Sequence, residues 1–233
     1  MSIKIFADGA NLQEMLALYR NDKRITGFTT NPTLMKKAGI TNYEAFAREV
    51  LATITHLPIS FEVFSDDLPE MERQALKIAS WGNNVYVKIP VTNTKGISTG
   101  PVLKKLSQKN VKLNVTAVFT LEQVSEILGN LSSGVPSIIS IFGGRIANAG
   151  VDPMPILAES VKVAKRNPAC EILWASPREA FNVLQAEACG CHIITITPDI
   201  LTTMKSFGKD LGQFSLETVQ MFYRDAQSAG YTL

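Results

Sequence analysis

The stretch ISFEVFSDDLPEMERQALKIASWGNNVYVKIP, residues 59–90, contains one strand–helix–strand unit. Its two β-rich runs are Ile59–Phe64 and Val85–Ile89, and between them Leu68–Ser80 carries a stripe of apolar residues at helical spacing. Strand, helix and strand in this order are typical of a parallel sheet whose strands are joined by outer helices. The stretch therefore predicts the repeating unit of an α/β fold.

The same alternation extends along the chain. Six further strands are predicted at Ile3–Ala7, Ile25–Thr29, Val111–Val115, Ser137–Ile141, Glu171–Ala175 and His192–Ile196. Further amphipathic helices are predicted at Tyr43–Thr55, Thr120–Leu131 and Ile156–Lys165, the first two with capping boxes at Thr41/Glu44 and Thr120/Gln123. Helix starts with proline at the first helical position are predicted at Asn31-Pro32, Ser176-Pro177 and Thr197-Pro198.

Eight such units in 233 residues favour a (β/α)8 TIM barrel that forms a single domain over residues 1–233. An open doubly wound sheet is the alternative, but neither G-x-G-x-x-G nor G-x-x-x-x-G-K-[ST] follows a predicted strand. An additional C-terminal helix is predicted at about 215–229, with apolar residues along one face. That face could dock on its own barrel or on a neighbouring subunit.

Composition and charge exclude several classes of protein. Hydrophobic residues make up 45% of the chain and charged residues 19%, which excludes an intrinsically disordered chain. The net charge of +2 gives no electrostatic signature for nucleic acid, and no apolar run approaches the roughly 18 residues of a membrane span. The start of the chain lacks the layout of a signal peptide and the three cysteines read as reduced thiols, so we expect a cytoplasmic protein.

In a barrel of this kind the chemistry lies at the carboxyl ends of the strands. Seven of the eight predicted strands end in polar residues or run into them. These residues are Asp8, Thr29 and Asn31, Glu62, Lys88, Asn114 and Thr116, Ser140 and Arg145, and Ser176 and Arg178. We therefore expect these side chains to gather around one site.

Lys88 is the most informative of these residues. Strand alternation across Val85–Ile89 places Tyr86 and Lys88 on the face that points into the barrel. Burial disfavours the charged form of an amine, and a neutral lysine amine is a nucleophile toward a carbonyl group. The alternative is a structural lysine that pairs with Glu62 or Asp8, or one that lies at the rim.

Each of the other polar residues near the lysine has two explanations. Glu62 and Asp8 could both be general acid–base groups. Alternatively, Glu62 pairs with a basic residue and Asp8 caps the loop that follows it. Asn31 could orient a substrate hydroxyl, but its position before a proline also suits a helix cap. Asn114 and Thr116 share one face of their strand, and their alternative role is mutual hydrogen bonding inside the core.

Arg145, Ser176 and Arg178 suggest a phosphate site. Ser176 is predicted at a helix N-terminus, where backbone N–H groups favour an anion, and arginine adds a planar charged fork. The alternative is that Ser176 and Glu179 form a capping box and that both arginines are solvated. The cysteines and the two histidines show no catalytic or metal-ligand spacing, so we expect neither a metal ion nor another cofactor.

Five segments of the sequence resemble the transaldolase family, in particular its small members and the related fructose-6-phosphate aldolases. They are Gly27–Thr33 (GFTTNPT), Val85–Thr92 (VYVKIPVT), Leu113–Thr116 (LNVT), Ile139–Ile146 (ISIFGGRI) and Ala175–Arg178 (ASPR). The segments occur in the family's order near the ends of successive predicted strands, and the resemblance covers nearly the whole chain. The combination of TTNP with a later VKIP is its most specific part.

The resemblance implies a barrel enzyme that works through a Schiff base and needs no metal ion. Lys88 matches the lysine that forms the imine, and Asp8 matches the acid that handles the proton of the substrate's C4 hydroxyl. Glu62 and Thr116 match the pair that positions a catalytic water. The positions that match substrate-binding residues are Asn31 and Asn114 for hydroxyl groups, Ser140 for the hydroxyls of the donor, and Arg145, Ser176 and Arg178 for the phosphate. We expect Thr29 and Phe142 to line the substrate site as well.

Glu62 and Phe142 bear on which activity the resemblance implies. In the direct aldolases these positions resemble a glutamine and a tyrosine that helps hold the water, whereas Glu62 and Phe142 of this sequence are the transaldolase-like pair. Fewer groups around that water should slow protonation of the dihydroxyacetone enamine, which then survives until an acceptor arrives. The sequence departs from the family at Pro177, where a bulky apolar residue is usual, and in the longer Asn93–Gly100 stretch.

The residues and the resemblance together predict a transaldolase of the pentose phosphate pathway. It would move a dihydroxyacetone unit from fructose 6-phosphate or sedoheptulose 7-phosphate to an aldose phosphate. The nearest alternative is an aldolase that releases dihydroxyacetone, and an alternative of another class is a non-catalytic sugar-phosphate-binding barrel. Sugar phosphates are the expected partners, with no nucleic acid and no membrane, and the chain is expected to form a homo-oligomer (dimer, pentamer or decamer).

Overall fold

Eight parallel strands close into a barrel in the computed structural model, which describes residues 2–232. Each strand pairs with the next one along the chain, and the eighth pairs with the first. The strands are β1 (Lys4–Asp8), β2 (Ile25–Thr29), β3 (Ile59–Glu62), β4 (Val85–Pro90), β5 (Leu113–Val118), β6 (Ser137–Ile141), β7 (Cys170–Trp174) and β8 (Ile193–Ile196). The (β/α)8 barrel predicted from the sequence is confirmed.

Helices connect successive strands of the barrel. They are α1 (Leu12–Asn21), α2 (Pro32–Lys37), α3 (Tyr43–Thr53), α4 (Leu68–Ala79), α5 (Gly100–Gln108), α6 (Leu121–Asn130), α7 (Gly143–Asn148), α8 (Pro153–Ala164) and α9 (Phe181–Ala188). Contacts divide the chain into two compact units, of which the first ends at Pro198 and contains the whole barrel. The extent of one domain over residues 1–233 stays a prediction.

The second unit begins at Asp199 and contains the C-terminal helix. The elements of this part of the chain are α10 (Pro198–Thr203), a 3-10 turn (Met204–Ser206) and α11 (Leu211–Ala229). The helix predicted at about 215–229 begins earlier, at Leu211, because the Asp210 side chain accepts a hydrogen bond from Gln213 N at 2.9 Å and caps the first turn. Within residues 2–232, no helix is both long enough and apolar enough to cross a membrane.

The strands alternate between an inner and an outer face, as β4 illustrates. Val87 and Ile89 are fully buried on its outer face, whereas Tyr86 packs against an apolar cluster inside the barrel. The cluster consists of Phe6, Ile138, Leu173, Ala175 and Ile193. Lys88 follows Tyr86 on the inner face, one step nearer the carboxyl end. The apolar cluster fills the barrel interior, so the polar residues gather at the carboxyl end.

Side-chain caps fix the start of several helices. The Asn31 side chain accepts from Leu34 N at 3.0 Å, and Pro32 is the first residue of α2, as the sequence predicts. Thr120 and Gln123 form the predicted capping box of α6, in which each side chain bonds the other residue's backbone N–H. These caps satisfy N–H groups at the helix starts that lack a partner within the helix.

Two predicted helix starts are wrong. The cap of α3 is Asn42 rather than Thr41, because the Asn42 side chain reaches Ala45 N at 3.0 Å and takes the capping role one residue later. Ser176 does not begin a helix, since its φ is +58° and α9 begins only at Phe181. Instead of the predicted anion-binding helix end, Ser176 is a single left-handed residue in the loop that precedes α9.

Candidate active site

A cavity of about 630 Å³ opens at the carboxyl end of the barrel. The predicted site residues that line it are Asp8, Thr29, Asn31, Glu62, Lys88, Thr116, Ser140, Phe142, Arg145, Ser176 and Arg178. Asn114 is fully buried, where its Nδ2 donates to Ser60 Oγ at 2.9 Å and its Oδ1 accepts from Ser140 Oγ at 2.7 Å. The barrel therefore brings the polar residues of seven strands to one place, as the sequence predicts.

The Lys88 amine lies between two oxygen acceptors. The residue is only 8% exposed, and its Nζ donates to the carbonyl oxygen of Thr30 at 3.3 Å. On another side, Nζ is 3.4 Å from Glu62 Oε2. The ion pair that the sequence offered as a structural alternative is thus present. Because Lys88 also lines the cavity, the same amine is available to a bound carbonyl group.

Two carboxylates share the cavity with this amine, and burial raises the pKa of both. For Asp8, burial is the largest influence, and the charge of Lys88 and a hydrogen bond from Thr29 oppose it. For Glu62, burial again dominates, Lys88 opposes it, and the negative charge of Asp8 adds a smaller increase. Carboxyl groups whose pKa rises toward neutrality are suited to proton transfer near physiological pH.

Thr195 belongs to the site although the sequence analysis assigned it no role. Its Oγ1 lies 2.5 Å from Thr29 Oγ1, which in turn donates to Asp8 Oδ1 at 2.7 Å. Since the single hydroxyl hydrogen of Thr29 is directed to Asp8, Thr195 donates to Thr29, and the two hydroxyls form a chain that orients the carboxylate. Strand period two could have found this residue, because Thr195 follows Ile193 on the inner face of β8.

Thr116 presents a buried hydroxyl to the cavity. Its Oγ1 has no hydrogen-bond partner among the protein atoms of residues 2–232, and buried hydroxyls normally have one. The next residue, Ala117, has a φ of +59°, and the register between β5 and β6 shifts between Val115 and Val118. This irregularity sets the direction of the strand end that carries Thr116, whose hydroxyl can bind a water or a substrate group.

The two arginines lie at neighbouring points of the cavity wall. Arg178 Nε donates to the carbonyl oxygen of Gly144, the residue directly before Arg145. The Arg145 guanidinium lies 5.7 Å from the ring centroid of Phe142, a distance typical of a cation–π contact. Together with Ser176 they form a positively charged, hydroxyl-bearing wall that suits a phosphate group.

Asn31 combines the two roles that the sequence left open. Its Oδ1 is used in capping α2, and the residue also lines the cavity, so its amide N–H groups can serve as donors to a ligand. Within residues 2–232, no three His, Cys, Asp or Glu side chains are grouped so as to hold a metal ion. The chemistry available from the side chains is therefore a nucleophilic amine, two proton-transfer carboxyls and two guanidinium groups.

Comparisons with known proteins agree on one family. A family model described as Transaldolase/Fructose-6-phosphate aldolase matches residues 5–233. A probable transaldolase of Dehalococcoides mccartyi is 33% identical over 203 residues, which are 87% of this chain and 90% of that protein. A probable transaldolase of Streptococcus equi subsp. zooepidemicus is 35% identical over 224 residues, with coverage of 91% and 99%. A solved structure of a mandelate oxidase mutant aligns with a TM-score of 0.55 at 15% identity over 98% of this chain and 74% of its own, which is a likeness of fold alone. The chain belongs to the transaldolase/fructose-6-phosphate aldolase family.

Proposed function

We propose that this chain is a transaldolase that transfers a dihydroxyacetone unit from a ketose phosphate to an aldose phosphate through a Schiff base on Lys88. The observation that carries the proposal is the position of the Lys88 amine, which lies in a cavity together with Glu62 and Asp8. Fructose 6-phosphate and sedoheptulose 7-phosphate are the proposed donors. Membership of the family and the names of the curated relatives support the class of reaction.

The first steps join the donor to the enzyme. After a proton passes from the Lys88 ammonium group to Glu62, the amine attacks the C2 carbonyl of the ketose and forms a carbinolamine, which loses water to give a protonated imine. Glu62 is within 3.4 Å of the amine and can hand over or accept the protons of these steps. The hydroxyl of Thr116, which has no partner among the described residues, can hold the departing water.

The next step breaks the carbon–carbon bond. Asp8 accepts the proton of the C4 hydroxyl, the C3–C4 bond breaks, and its electron pair moves to the imine nitrogen to give an enamine. The aldose phosphate leaves and an acceptor aldose phosphate takes its place. The enamine carbon then attacks the acceptor aldehyde, Asp8 returns the proton to the new hydroxyl, and water releases the product from Lys88. Arg145 and Arg178 are the proposed ligands of the phosphate in both aldoses.

Covalent trapping tests the proposal directly. Fructose 6-phosphate with borohydride is expected to leave a three-carbon adduct on Lys88, because loss of the aldose phosphate leaves the dihydroxyacetone imine to be reduced. Mass spectrometry of the digested protein locates the adduct. Lys88→Ala should abolish it, whereas Lys112→Ala should retain it, since the Lys112 amine donates to the Asn83 carbonyl at the opposite end of the barrel. Absence of an adduct on the wild-type chain would favour a non-catalytic sugar-phosphate-binding barrel.

A second assay separates the transferase from an aldolase. With fructose 6-phosphate alone we expect little free dihydroxyacetone, because the enamine waits for an acceptor. Addition of erythrose 4-phosphate should then produce sedoheptulose 7-phosphate over many turnovers. Rapid, repeated release of dihydroxyacetone without an acceptor would show instead a fructose-6-phosphate aldolase, which the family description also covers.

We further propose that the chain works in the cytoplasm, in the pentose phosphate pathway, as a homo-oligomer of two, five or ten copies. The apolar face predicted along the C-terminal helix is the part of the sequence that supports self-association. Light scattering at several concentrations tests the oligomer, and a mass of 25.5 kDa, that of one chain, would contradict it.

A further inference from the structure

The hydrogen-bond ladder between β2 and β3 stops short of the full strand length. Phe28 N donates to the Pro58 carbonyl at 2.9 Å, and Thr30 N donates to the Ser60 carbonyl at 3.2 Å. These are alternate rungs of a regular parallel pair, in which every second residue of a strand bonds to its neighbour. Continuing this pattern by one rung would join Glu62 N to the Thr30 carbonyl.

Both groups of that next rung are used in another way. Glu62 N donates to the hydroxyl oxygen of Tyr43 at 2.7 Å, and the Thr30 carbonyl accepts from Lys88 Nζ at 3.3 Å. The Tyr43 hydroxyl also donates to the Glu62 carbonyl at 3.1 Å, so one phenol satisfies both main-chain polar groups of this residue. The Thr30 carbonyl is thereby released from the sheet and serves the lysine.

Tyr43 is held firmly enough to act as a fixed partner. It is the first residue of α3, and its ring makes edge-on contacts with Phe61 at 6.0 Å and Trp81 at 5.5 Å between centroids. Burial raises the pKa of its hydroxyl well above that of a free tyrosine, so the group stays protonated near neutral pH and keeps its donor.

We propose that Tyr43 is a positioning residue for Lys88, because it ends the β2–β3 ladder one rung early and leaves the Thr30 carbonyl to hold the catalytic amine. Without the phenol oxygen, the partly buried Glu62 N–H needs another acceptor, and the ladder offers the Thr30 carbonyl. Closing that rung pulls the Thr30 carbonyl toward β3 and weakens the 3.3 Å hydrogen bond that fixes the direction of the Lys88 amine. The inference rests on the proposed Schiff-base role of Lys88 and adds a residue outside the reacting groups.

Pre-steady-state kinetics of Tyr43→Phe test the inference. The protein is mixed with fructose 6-phosphate in saturating excess and quenched with borohydride at successive times, and the three-carbon adduct on Lys88 is counted by mass spectrometry. We expect the rate constant of adduct formation to fall about ten- to a hundredfold, the size of effect that a misplaced reacting group causes. The final amplitude should match the wild type, because amplitude counts folded sites. Loss of folded protein alone would lower the amplitude and leave the rate constant unchanged.

Two further variants sharpen the test. Tyr86→Phe removes the hydroxyl of another partly buried tyrosine, on the strand of Lys88 but at the far end of the barrel, and should keep the wild-type rate constant. Replacement of Tyr43 by 4-aminophenylalanine keeps the ring shape and a donor but offers only a poor acceptor to Glu62 N. This variant should therefore form the adduct on Lys88 as slowly as Tyr43→Phe does. It takes the place of Tyr43→Phe in the test if Tyr43→Phe folds poorly.

The outcomes separate this inference from the proposed function. If the wild type forms no adduct on Lys88, the Schiff-base mechanism fails and the positioning role fails with it. If the wild type forms the adduct and Tyr43→Phe forms it at the same rate constant, the proposed function stands and the positioning role of Tyr43 is overturned. A slow Tyr43→Phe beside a normal Tyr86→Phe supports the inference.

Discussion

At the scale of single residues, the Asp8 carboxylate combines a buried position with two stabilising neighbours. Burial raises its pKa, whereas the charge of Lys88 and the 2.7 Å hydrogen bond from Thr29 act in the opposite direction. In the proposed cleavage step Asp8 must be ionised to accept the proton. Activity should therefore fall as the pH drops through this raised pKa, so the acid limb of the rate profile should lie above the range of an ordinary aspartate.

Thr29→Val should move that acid limb to still higher pH. The substitution keeps the volume of the side chain but removes a hydrogen bond that favours the carboxylate, so the pKa of Asp8 rises further. The pH profile of kcat measures the shift. Thr26→Val is the matched control, since this threonine lies on the same strand and its hydroxyl bonds the Ile5 carbonyl instead. An acid limb that stays in place or moves down in Thr29→Val would contradict the role given to Asp8.

Phe142→Tyr should increase the release of free dihydroxyacetone. Phe142 lines the cavity that also contains the Thr116 hydroxyl, so an added phenol could help bind water near the enamine. We expect release without an acceptor to rise about tenfold or more, since a well-placed proton-transfer group contributes about 10²–10⁴. A coupled assay for dihydroxyacetone measures it.

Phe119→Tyr provides the comparison for this prediction. Phe119 lies 5.8 Å from Phe142 between ring centroids and lines the same cavity, so it receives the same added hydroxyl on the neighbouring ring. If both variants release dihydroxyacetone at the wild-type rate, the side chains at positions 142 and 119 do not limit the access of water to the enamine.

At the scale of elements, the proposed phosphate site at Arg145, Ser176 and Arg178 depends on a close contact between helix α7 and the loop after β7. A Cβ atom at Gly144, in the first turn of α7, would lie 1.7 Å from the Ser176 carbonyl oxygen in the loop after β7. Only glycine permits this approach, and Ser176 itself has a φ of +58°. The contact holds the loop of Arg178 beside the helix of Arg145, as the proposed binding of one phosphate by both guanidinium groups requires.

Gly144→Ala should therefore weaken phosphate binding more than it affects the lysine. The loop after β7 must move away from α7, and the KM for fructose 6-phosphate should rise about tenfold or more, because each charged hydrogen bond is worth about 1.5–3 kcal/mol. Trapping of unphosphorylated dihydroxyacetone on Lys88 should stay near the wild-type rate. Gly129→Ala is the control, since a Cβ there, in α6, meets nothing within 4 Å. If Gly144→Ala impaired the reaction with fructose 6-phosphate and the trapping of dihydroxyacetone equally, Gly144 would have a general role in stability.

The same elements show how far sequence reasoning reaches. Strand β2 and strand β6 have the predicted bounds, and the inward direction of Lys88 follows from strand period two. Strand β5 lies later than predicted, at Leu113–Val118, because its register with β6 shifts around Ala117 and the strand continues past the bend. Local sequence patterns therefore predict where the strands lie, but they do not predict irregularities that depend on the neighbouring strand.

The site residues divide in the same way. Side chains that end a strand, such as Asp8, could be predicted because strand topology alone brings them together. The contribution of the Thr30 carbonyl could not be predicted, since a main-chain group carries no mark in the sequence. The loop conformation of Ser176 also escaped, because it depends on the contact with Gly144, a residue distant in the chain.

At the scale of the whole barrel, function and stability act against each other. The carboxyl end holds Asp8 and Glu62 with raised pKa values, which means that the fold disfavours their charged forms. For such an acid the folded state binds its proton more tightly than the unfolded state does. Stability therefore falls as the pH rises from the unfolded value of about 3.9 through the raised pKa. Near neutral pH, the proposed catalytic carboxylate makes the barrel less stable than a neutral residue would.

Asp8→Asn should accordingly stabilise the protein while it suppresses activity. At neutral pH the variant no longer buries this charge, and each kcal/mol gained should raise Tm by about 2–4 °C in a chain of this size. The gain should shrink as the pH falls and vanish below about pH 3.9, where Asp8 is protonated in both the folded and the unfolded wild type. Thermal unfolding followed by circular dichroism across this range measures the gain in Tm.

Glu49→Gln, on the exposed side of α3, is the control and should change Tm little at any pH. A variant that is less stable than the wild type at neutral pH would mean that the attraction of Lys88 outweighs burial, and the order of influences assigned to Asp8 would be reversed.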